Sequence, residues 1–470
     1  MERSDQTYLE LIRNYCTRSE EKVEIPEAEW EKLQHYAGKH FTAAAFTPYL
    51  KADTHESNMV LKKQLKMLLY NYYQIEHFTR MIVSLLDRNG ISCYLLKGIS
   101  LAAYYPEAEY RKLGDVDLYI NEEKALERAK EVIVAEGFVE EKEISDHHLT
   151  YHYTFAQTGR TYLLELHYHV VGMYQYEPAN QVINEVFSSG NLRGECQVIE
   201  GYEYQVLPPT EYVFYMLHHM LKHYLYSGFG IRLLCDFICY VEARCDEIDF
   251  DRLHVWCRKS HMMHFYETIM ESCHRYLGLG CEIDGSIRGD QEVSRKFIEK
   301  ILVDKDVGSG DSRTLVGSGT YEKVHLGTYF REGHLQMKVR FKKLGRCPLL
   351  WPILWVITFV CFVRNTYKLR NTTVRETLQA FRKKNDELQL IPIFEQEKIK
   401  RKRIDRRQVM ANMASCCDTC TFYIYDDEYE CYTCDRDLDE DEMMRFLTDH
   451  HYQCPYYRSG DEYRVVRKQM

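Results

Sequence analysis

A chain of 470 residues is long for one domain, and roughly two to four folded units are expected. With 45% hydrophobic and 28% charged residues, it can build packed cores and lacks the composition of a disordered polymer. A formal net charge of -10 excludes indiscriminate attraction to nucleic acid, though not a local basic groove.

Met1 to Asn14 is mixed polar and charged, with no basic start leading into an apolar run, so no secretory signal is read there. The expected location is the cytoplasm, where the 17 cysteines should stay mostly reduced and clustered ones become candidate metal ligands. From about Tyr8 to Asn89 the pattern is helical. Leu65, Leu68, Leu69, Tyr72 and Ile75 recur at the spacing of one buried face. This region, 1–89, is expected to lead into a core at 90–200.

That core opens with a strand at Ser92 to Leu96, closed by Lys97-Gly98, and a helix from Ile99 that ends before Pro106. Asp115 to Ile120 alternates as a strand, Glu122 to Glu136 is a helix stopped by Gly137, and His148 to Ala156 and Tyr162 to Val171 are further strands. The succession predicts an α+β fold: a small mixed sheet embedded in helical regions. After Pro208 the pattern is helical again and defines a third region, 201–397. Within it, 304–323 is loop-like, and 347–363 is apolar with Pro348 and Pro352. The run KIKRKRIDRR belongs to a basic linker, 398–414, and the tail 415–470 is separate in composition, rich in Cys and Tyr.

Transfer of nucleotidyl groups needs divalent cations, and a hard ion such as Mg²⁺ or Mn²⁺ wants carboxylate oxygens. Asp115 and Asp117 are two apart on a predicted strand and so share a face. Glu165, on the face it shares with His167 and His169, is the third carboxylate a neighbouring strand would bring. Lys97, Gly98 and Ser100 sit at a strand-to-helix turn suited to phosphate, and Arg111 could grip a phosphate with two donors. An Asp-x-Asp pair by itself is weak, but the ordered set is specific.

The stretch LLKGISLAAYYPEAEYRKLGDVDLYI, with LLELHYHV after it, resembles a bacterial nucleotidyltransferase family of the DNA polymerase β superfamily, one that carries Lys-Gly before Arg-x-x-x-Asp-x-Asp. The similarity spans roughly residues 60 to 370, and LHHMLKHYLYSGFGIRLLCDF resembles that family's helical second half. The resemblance implies Asp115, Asp117 and Glu165 as metal ligands, and Gly98 and Ser100 as phosphate contacts. Ile99 separates Gly98 from Ser100, whereas many members of the wider superfamily have adjacent Gly-Ser. Related branches modify RNA, proteins or small molecules, so the acceptor is left open.

Histidines offer further chemistry. His167 and His169 read either as general bases or as a hydrogen-bonded polar face beside the site. His218, His219 and His223 share one helix, and the i, i+4 pair His219 and His223 could bind metal, but no acidic third ligand is evident, and satisfied or surface histidines are the simpler account.

In the tail, Cys417-x-x-Cys420 and Cys431-x-x-Cys434 have the spacing of tetrahedral zinc knuckles on tight turns, with redox dithiols as the alternative. Spacing alone selects those four. The tail also resembles a small uncharacterised bacterial domain, and that resemblance implies Cys417, Cys420, Cys434 and Cys454 as ligands of a structural Zn²⁺, with Cys431 surplus and Cys416 a bystander. The metal would supply folding energy to a segment with little core. The run CPLLWPILWVITFVCFV is about as long as the shortest membrane span. A buried or partner-facing helix is expected there, with peripheral membrane attachment as the alternative.

The expected function is Mg²⁺-dependent transfer of a nucleotidyl group from a nucleoside triphosphate to an acceptor, with Glu165 helping to deprotonate the acceptor hydroxyl. The alternative is an inactive nucleotidyltransferase-like binding or regulatory protein whose zinc domain recruits a partner.

Overall fold

The structure, a computed structural model, describes residues 1–50, 56–141, 147–174, 176–188, 190–227, 229–281, 289–303, 337, 350–358 and 390–394, and the backbone of two short strands at 423–426 and 431–434. The chain divides into two units, Met1–Glu395 and Gln396–Met470.

The first unit is built on a five-stranded mixed sheet with the order β1-β2-β5-β4-β3. The strands are β1 (Tyr94–Leu95), β2 (Val116–Tyr119), β3 (Val139–Glu140), β4 (His148–Thr154) and β5 (Thr161–His167). Only β2 and β5 are parallel, and their register sets Asp117 beside Glu165 and Tyr119 beside His167. Strand alternation then sorts the side chains. Val116 and Leu118 of β2 and Leu164 and Leu166 of β5 enter one apolar core. Asp117, Tyr119, Glu165 and His167 alternate with them and so point to the other face.

Helices supply a core on each side. The long helix α1 to α3 region is not a unit of its own: α1 (Arg3–Cys16) packs on the later helices α8 (Ile231–Arg244) and α10 (Met263–Leu277). Helix α2 spans Trp30–His40, and α3 (Glu56–Arg88) serves both cores, with Leu61 and Leu65 in one and Tyr72, Ile75, Phe78 and Ile82 in the other. Leu69, expected on the buried face, is 38% exposed, because it follows Leu68 by one residue and so turns about 100° away. Helix α4 is four residues, Ile99–Ala102, shorter than expected. Helices α5 (Glu123–Ala135), α6 (Glu177–Val186), α7 (Pro209–Lys222), α9 (Phe250–Lys259) and α11 (Gln291–Val303) complete the described set.

A hairpin that pattern reading overlooked joins β6 (Glu195–Ile199) to β7 (Tyr202–Val206). Its turn is Glu200-Gly201, both with positive φ, 47° and 74°. Two consecutive residues in that region match the twist of the flanking strands, and glycine makes the second one cheap.

Among the described residues, cysteine pairing departs from expectation at one place. Cys245 and Cys281 are joined in a disulfide, because α8 and α10 pack together and end near each other. Cys16, Cys93, Cys196, Cys235, Cys239, Cys257 and Cys273 are free thiols. In the second unit, Cys431–Cys434 is strand β9, paired antiparallel with β8 (Tyr423–Asp426), rather than the tight turn expected of a zinc knuckle. Cys416, Cys417, Cys420 and Cys454, the basic linker and the 304–323 loop lie outside the described residues. Of the apolar run 347–363, residues 351–358 are helical, with Leu354 buried and Ile353 and Val356 exposed. No helix among the described residues is long and apolar enough to cross a membrane.

His218 shows how the core treats a polar group. It is fully buried on α7, and its Nδ1 lies 3.1 Å from the Tyr174 hydroxyl. Burial, with the Lys222 charge second, lowers its pKa to about 3, so it stays neutral when folded. An unfolded histidine takes up a proton below pH 6.5, which makes this contribution complete above 6.5 and lost as pH falls towards 3. In urea unfolding between pH 7 and 5, His218→Gln should remove about 1.4 kcal/mol per pH unit from the decline in stability below pH 6.5. Equal slopes for the two proteins would contradict the account.

Candidate active site

The polar face of β2 and β5 opens on a cavity of about 760 Å³. Lys97, Gly98, Asp115, Asp117, Glu165 and His167 line one side, and Tyr215, His219, Lys222 and Arg232 of the helical half line the other. The two sides come from separate stretches of chain, 97–167 and 215–232, so the cavity exists only after tertiary folding.

Of the three expected carboxylates, two are brought together directly. Asp117, Glu165 and His167 each place one ligand atom within 4.8 Å of the others. His167 Nε2 donates to Asp117 Oδ1 at 3.1 Å and lies 3.4 Å from Glu165 Oε2. Asp115, ahead of β2, joins them through Lys97, whose ammonium is 3.1 Å from Asp117 Oδ1 and 3.9 Å from Asp115 Oδ2. The other Asp117 oxygen, Oδ2, is buried, and among the described residues nothing donates a hydrogen bond to it. An orphaned anionic oxygen of that kind carries a desolvation cost that calls for a cation.

Electrostatics reinforce the cluster. Burial disfavours charge on Glu165, yet the hydrogen bond from His167 and the Lys97 ammonium hold its carboxyl down at about 2. Burial also opposes the His167 imidazolium, but hydrogen bonds to Asp117 and Glu165 raise it to about 9. For Lys97, burial is outweighed by Asp115 and Asp117, which push its pKa well above the ordinary value. A carboxylate held as low as Glu165 is a poor proton acceptor at pH 7, so its surroundings favour holding positive charge over the base role expected of it.

Two expected phosphate contacts are engaged elsewhere. The Ser100 side chain is buried, its hydroxyl 3.0 Å from the Tyr212 hydroxyl and donating to the Lys97 carbonyl. It is not among the residues lining the cavity. Arg111 grips Asp236 rather than a free anion. Its Nε and Nη2 donate to the two Asp236 oxygens at 2.7 and 2.9 Å, and Nη1 donates to the Gly98 carbonyl at 3.1 Å. The Tyr105 hydroxyl donates to the same carboxylate. Burial opposes ionisation of Asp236, and Arg111 more than offsets it, lowering the carboxyl pKa. A lone Asp inside the apolar helix IRLLCDFICY was the signal that could have found this partner. Gly98 lines the cavity with φ +75°, a conformation that side chains resist, and an added Cβ would meet nothing within 4 Å. The requirement there is backbone conformation rather than space.

The remaining histidines divide. His169 follows the end of β5 and does not line the cavity. His219 and His223 do, their Nε2 atoms 3.1 Å apart where α7 widens into a π-helical turn at His223–Ser227. Among the described residues no acidic group joins them in a ligand cluster. His147 and His148, which pattern reading passed over, stand beside His167.

A family model described as an uncharacterised nucleotidyltransferase matches residues 26–278, more than half of the chain. The chain belongs to this nucleotidyltransferase family. Its match takes in every residue of the cavity named above. A second model, a domain of unknown function (DUF6472), matches residues 414–470. No curated protein matches the chain. Among solved structures, an antigenic nucleotidyltransferase-like protein from Paracoccidioides brasiliensis is similar at 15% identity over 36% of this chain and 75% of that one, with a TM-score of 0.26. That likeness is too slight to bear on fold or function.

Proposed function

We propose that this member of the nucleotidyltransferase family transfers a nucleotidyl group from a nucleoside triphosphate to an acceptor, with Asp117 and Glu165 holding a divalent cation, Mg²⁺ or Mn²⁺, and Asp115 beside them. The observation that carries the reading is the buried, unsatisfied Oδ2 of Asp117, set in strand register with Glu165 on a cavity wall. Asp117 and Glu165 offer carboxylate oxygen, the donor a hard cation prefers, with the His167 nitrogen beside them. A cation held there would neutralise charge on the triphosphate and polarise the reacting oxygens.

The chain's own groups have separable tasks. Lys97 bridges Asp115 and Asp117 and keeps both oriented. His167 fixes Asp117 relative to Glu165. Arg111 holds the Gly98 carbonyl, and so positions the turn next to Lys97 instead of binding phosphate itself. The acceptor is an RNA, a protein or a small molecule. For residues 415–470 we propose a structural Zn²⁺ on Cys417, Cys420, Cys434 and Cys454, the set that the tail's resemblance to the small uncharacterised domain implies; thiol spacing supports the first three and would put Cys431 in place of Cys454.

Labelling tests the main reading. Wild-type protein should transfer label from at least one α-labelled nucleoside triphosphate to a component of a cell extract with Mg²⁺ present, and not with a chelator. No transfer with any of the four nucleotides would count heavily against it. The burial of Ser100 and the pairing of Arg111 favour one second reading, an inactive triphosphate-binding or regulatory protein. In that case calorimetry would still detect Mg²⁺-coupled triphosphate binding, and no label would move.

A further inference from the structure

We propose that His147, His148 and His167 form a site for a borderline divalent transition metal, of the class of Zn²⁺ and Co²⁺, next to the carboxylate site but different in chemistry. The placement begins with register. His148 and His167 are directly opposite each other in the antiparallel β4–β5 pair, so their side chains stand on one face. His147 precedes the strand. Had β4 extended through it, alternation would have sent its ring to the other face. Instead its carbonyl accepts the amides of Tyr168 at 2.9 Å and His169 at 3.1 Å, which ties it to the end of β5.

The three rings converge as a result. Ring centres are 4.3 Å apart for His147 and His148, 5.1 Å for His148 and His167, and 5.5 Å for His147 and His167. One nitrogen from each ring lies within 4.8 Å of the other two. A tetrahedral ion with metal–nitrogen bonds of about 2.0–2.1 Å needs nitrogens roughly 3.4 Å apart, so small side-chain rotations close the site. Glu165 Oε1, 3.8 Å from His148 Nε2, is within reach as a fourth ligand or as the group that orients an imidazole.

Imidazole nitrogen suits zinc, cobalt and nickel, whereas Mg²⁺ prefers oxygen throughout. The face therefore offers two donor sets, oxygen at Asp117 and nitrogen at the three histidines. His167 and Glu165 border both: one His167 nitrogen faces Asp117 and the other lies 3.3 Å from the His169 carbonyl, so an ion bound by this ring would displace the proton on one of them.

The test uses the full-length chain stripped of metal and titrated with Co²⁺. Visible absorption reports tetrahedral Co²⁺, and sulfur-to-cobalt charge transfer in the near ultraviolet marks any ion bound by the cysteines of 415–470. Wild type should take up one Co²⁺ without sulfur bands. His147→Ala, ahead of the strand, and His148→Ala should each weaken that equivalent at least ~10-fold, while circular dichroism of the metal-free proteins is unchanged. Full retention in both variants, or uptake only with sulfur bands, would overturn the proposal. Asp117→Asn keeps the transferase reading distinct: it should remove Mg²⁺-dependent triphosphate binding and leave the Co²⁺ equivalent in place. Loss of the Co²⁺ equivalent in that variant would instead show that the carboxylates had bound it, and the histidine site would fall.

Discussion

Asp117→Asn should lower nucleotidyl transfer roughly a thousandfold or more, the scale of losing a cation that contributes several kcal/mol in the transition state. The substitution is nearly isosteric and changes chemistry more than shape. It removes the charge that Lys97 and His167 share, and it replaces the orphaned Oδ2 or its partner oxygen with an amide that binds a divalent ion poorly. Triphosphate binding measured by calorimetry should lose its Mg²⁺ dependence in parallel. The thermal midpoint should be recorded beside both, since two neighbouring cations each lose one of their two counter-charges and keep the other, Lys97 on Asp115 and His167 on Glu165. A variant that folds normally and still transfers label at the wild-type rate would remove Asp117 from the reaction.

Breaking the Arg111–Asp236 pair should have the largest effect on stability. Both side chains are almost fully buried, at 4% and 6% exposure, and the carboxylate takes two guanidinium bonds as well as the Tyr105 hydroxyl. Removing Asp236 leaves the buried Arg111 charge without its counter-ion, and removing Arg111 leaves Asp236 with only the more distant Arg232, 3.9 Å away, so Arg111→Gln and Asp236→Asn should each cost about 3–5 kcal/mol in urea unfolding. The double change Arg111→Met with Asp236→Leu should cost well under the sum, because both charges then leave together. A phosphate-binding Arg111 would behave otherwise: stability would hold, and triphosphate affinity alone would drop. Additive costs in the double variant would show that the pair is not coupled.

Much of the sheet could be read from residue order. Alternation in VDLY and LLELH marks strands with one apolar and one polar face, and Gly137 and Pro106 mark where helices stop. Those same patterns mark Asp117 and Glu165 as polar residues on the strands' polar face. The β6–β7 hairpin had a signal too, in the Glu-Gly turn between alternating runs, but its strands are only five residues each and mix Glu195, Gln197, Glu203 and Gln205 with the apolar positions, which blurs the pattern. Ser100 and Arg111 were harder. A serine after a glycine turn and an arginine before Asp-x-Asp have the same local appearance whether they face solvent or neighbouring helices. Their partners, Tyr212 and Asp236, lie more than a hundred residues on.

Local order therefore determined which residues form strands, which face of each is polar, and that three acidic side chains fall on or beside neighbouring strands. Periodicity does this because a side chain's direction depends on its own backbone and not on distant contacts. Tertiary structure alone decided that β2 and β5 run parallel in the register that sets Asp117 against Glu165, and that α7 and α8 close the cavity. It also assigned Arg111 to Asp236 and gathered His147 and His148 around His167. These are pairings between remote segments, and packing of two cores against one sheet selects them, which no short window of sequence can express.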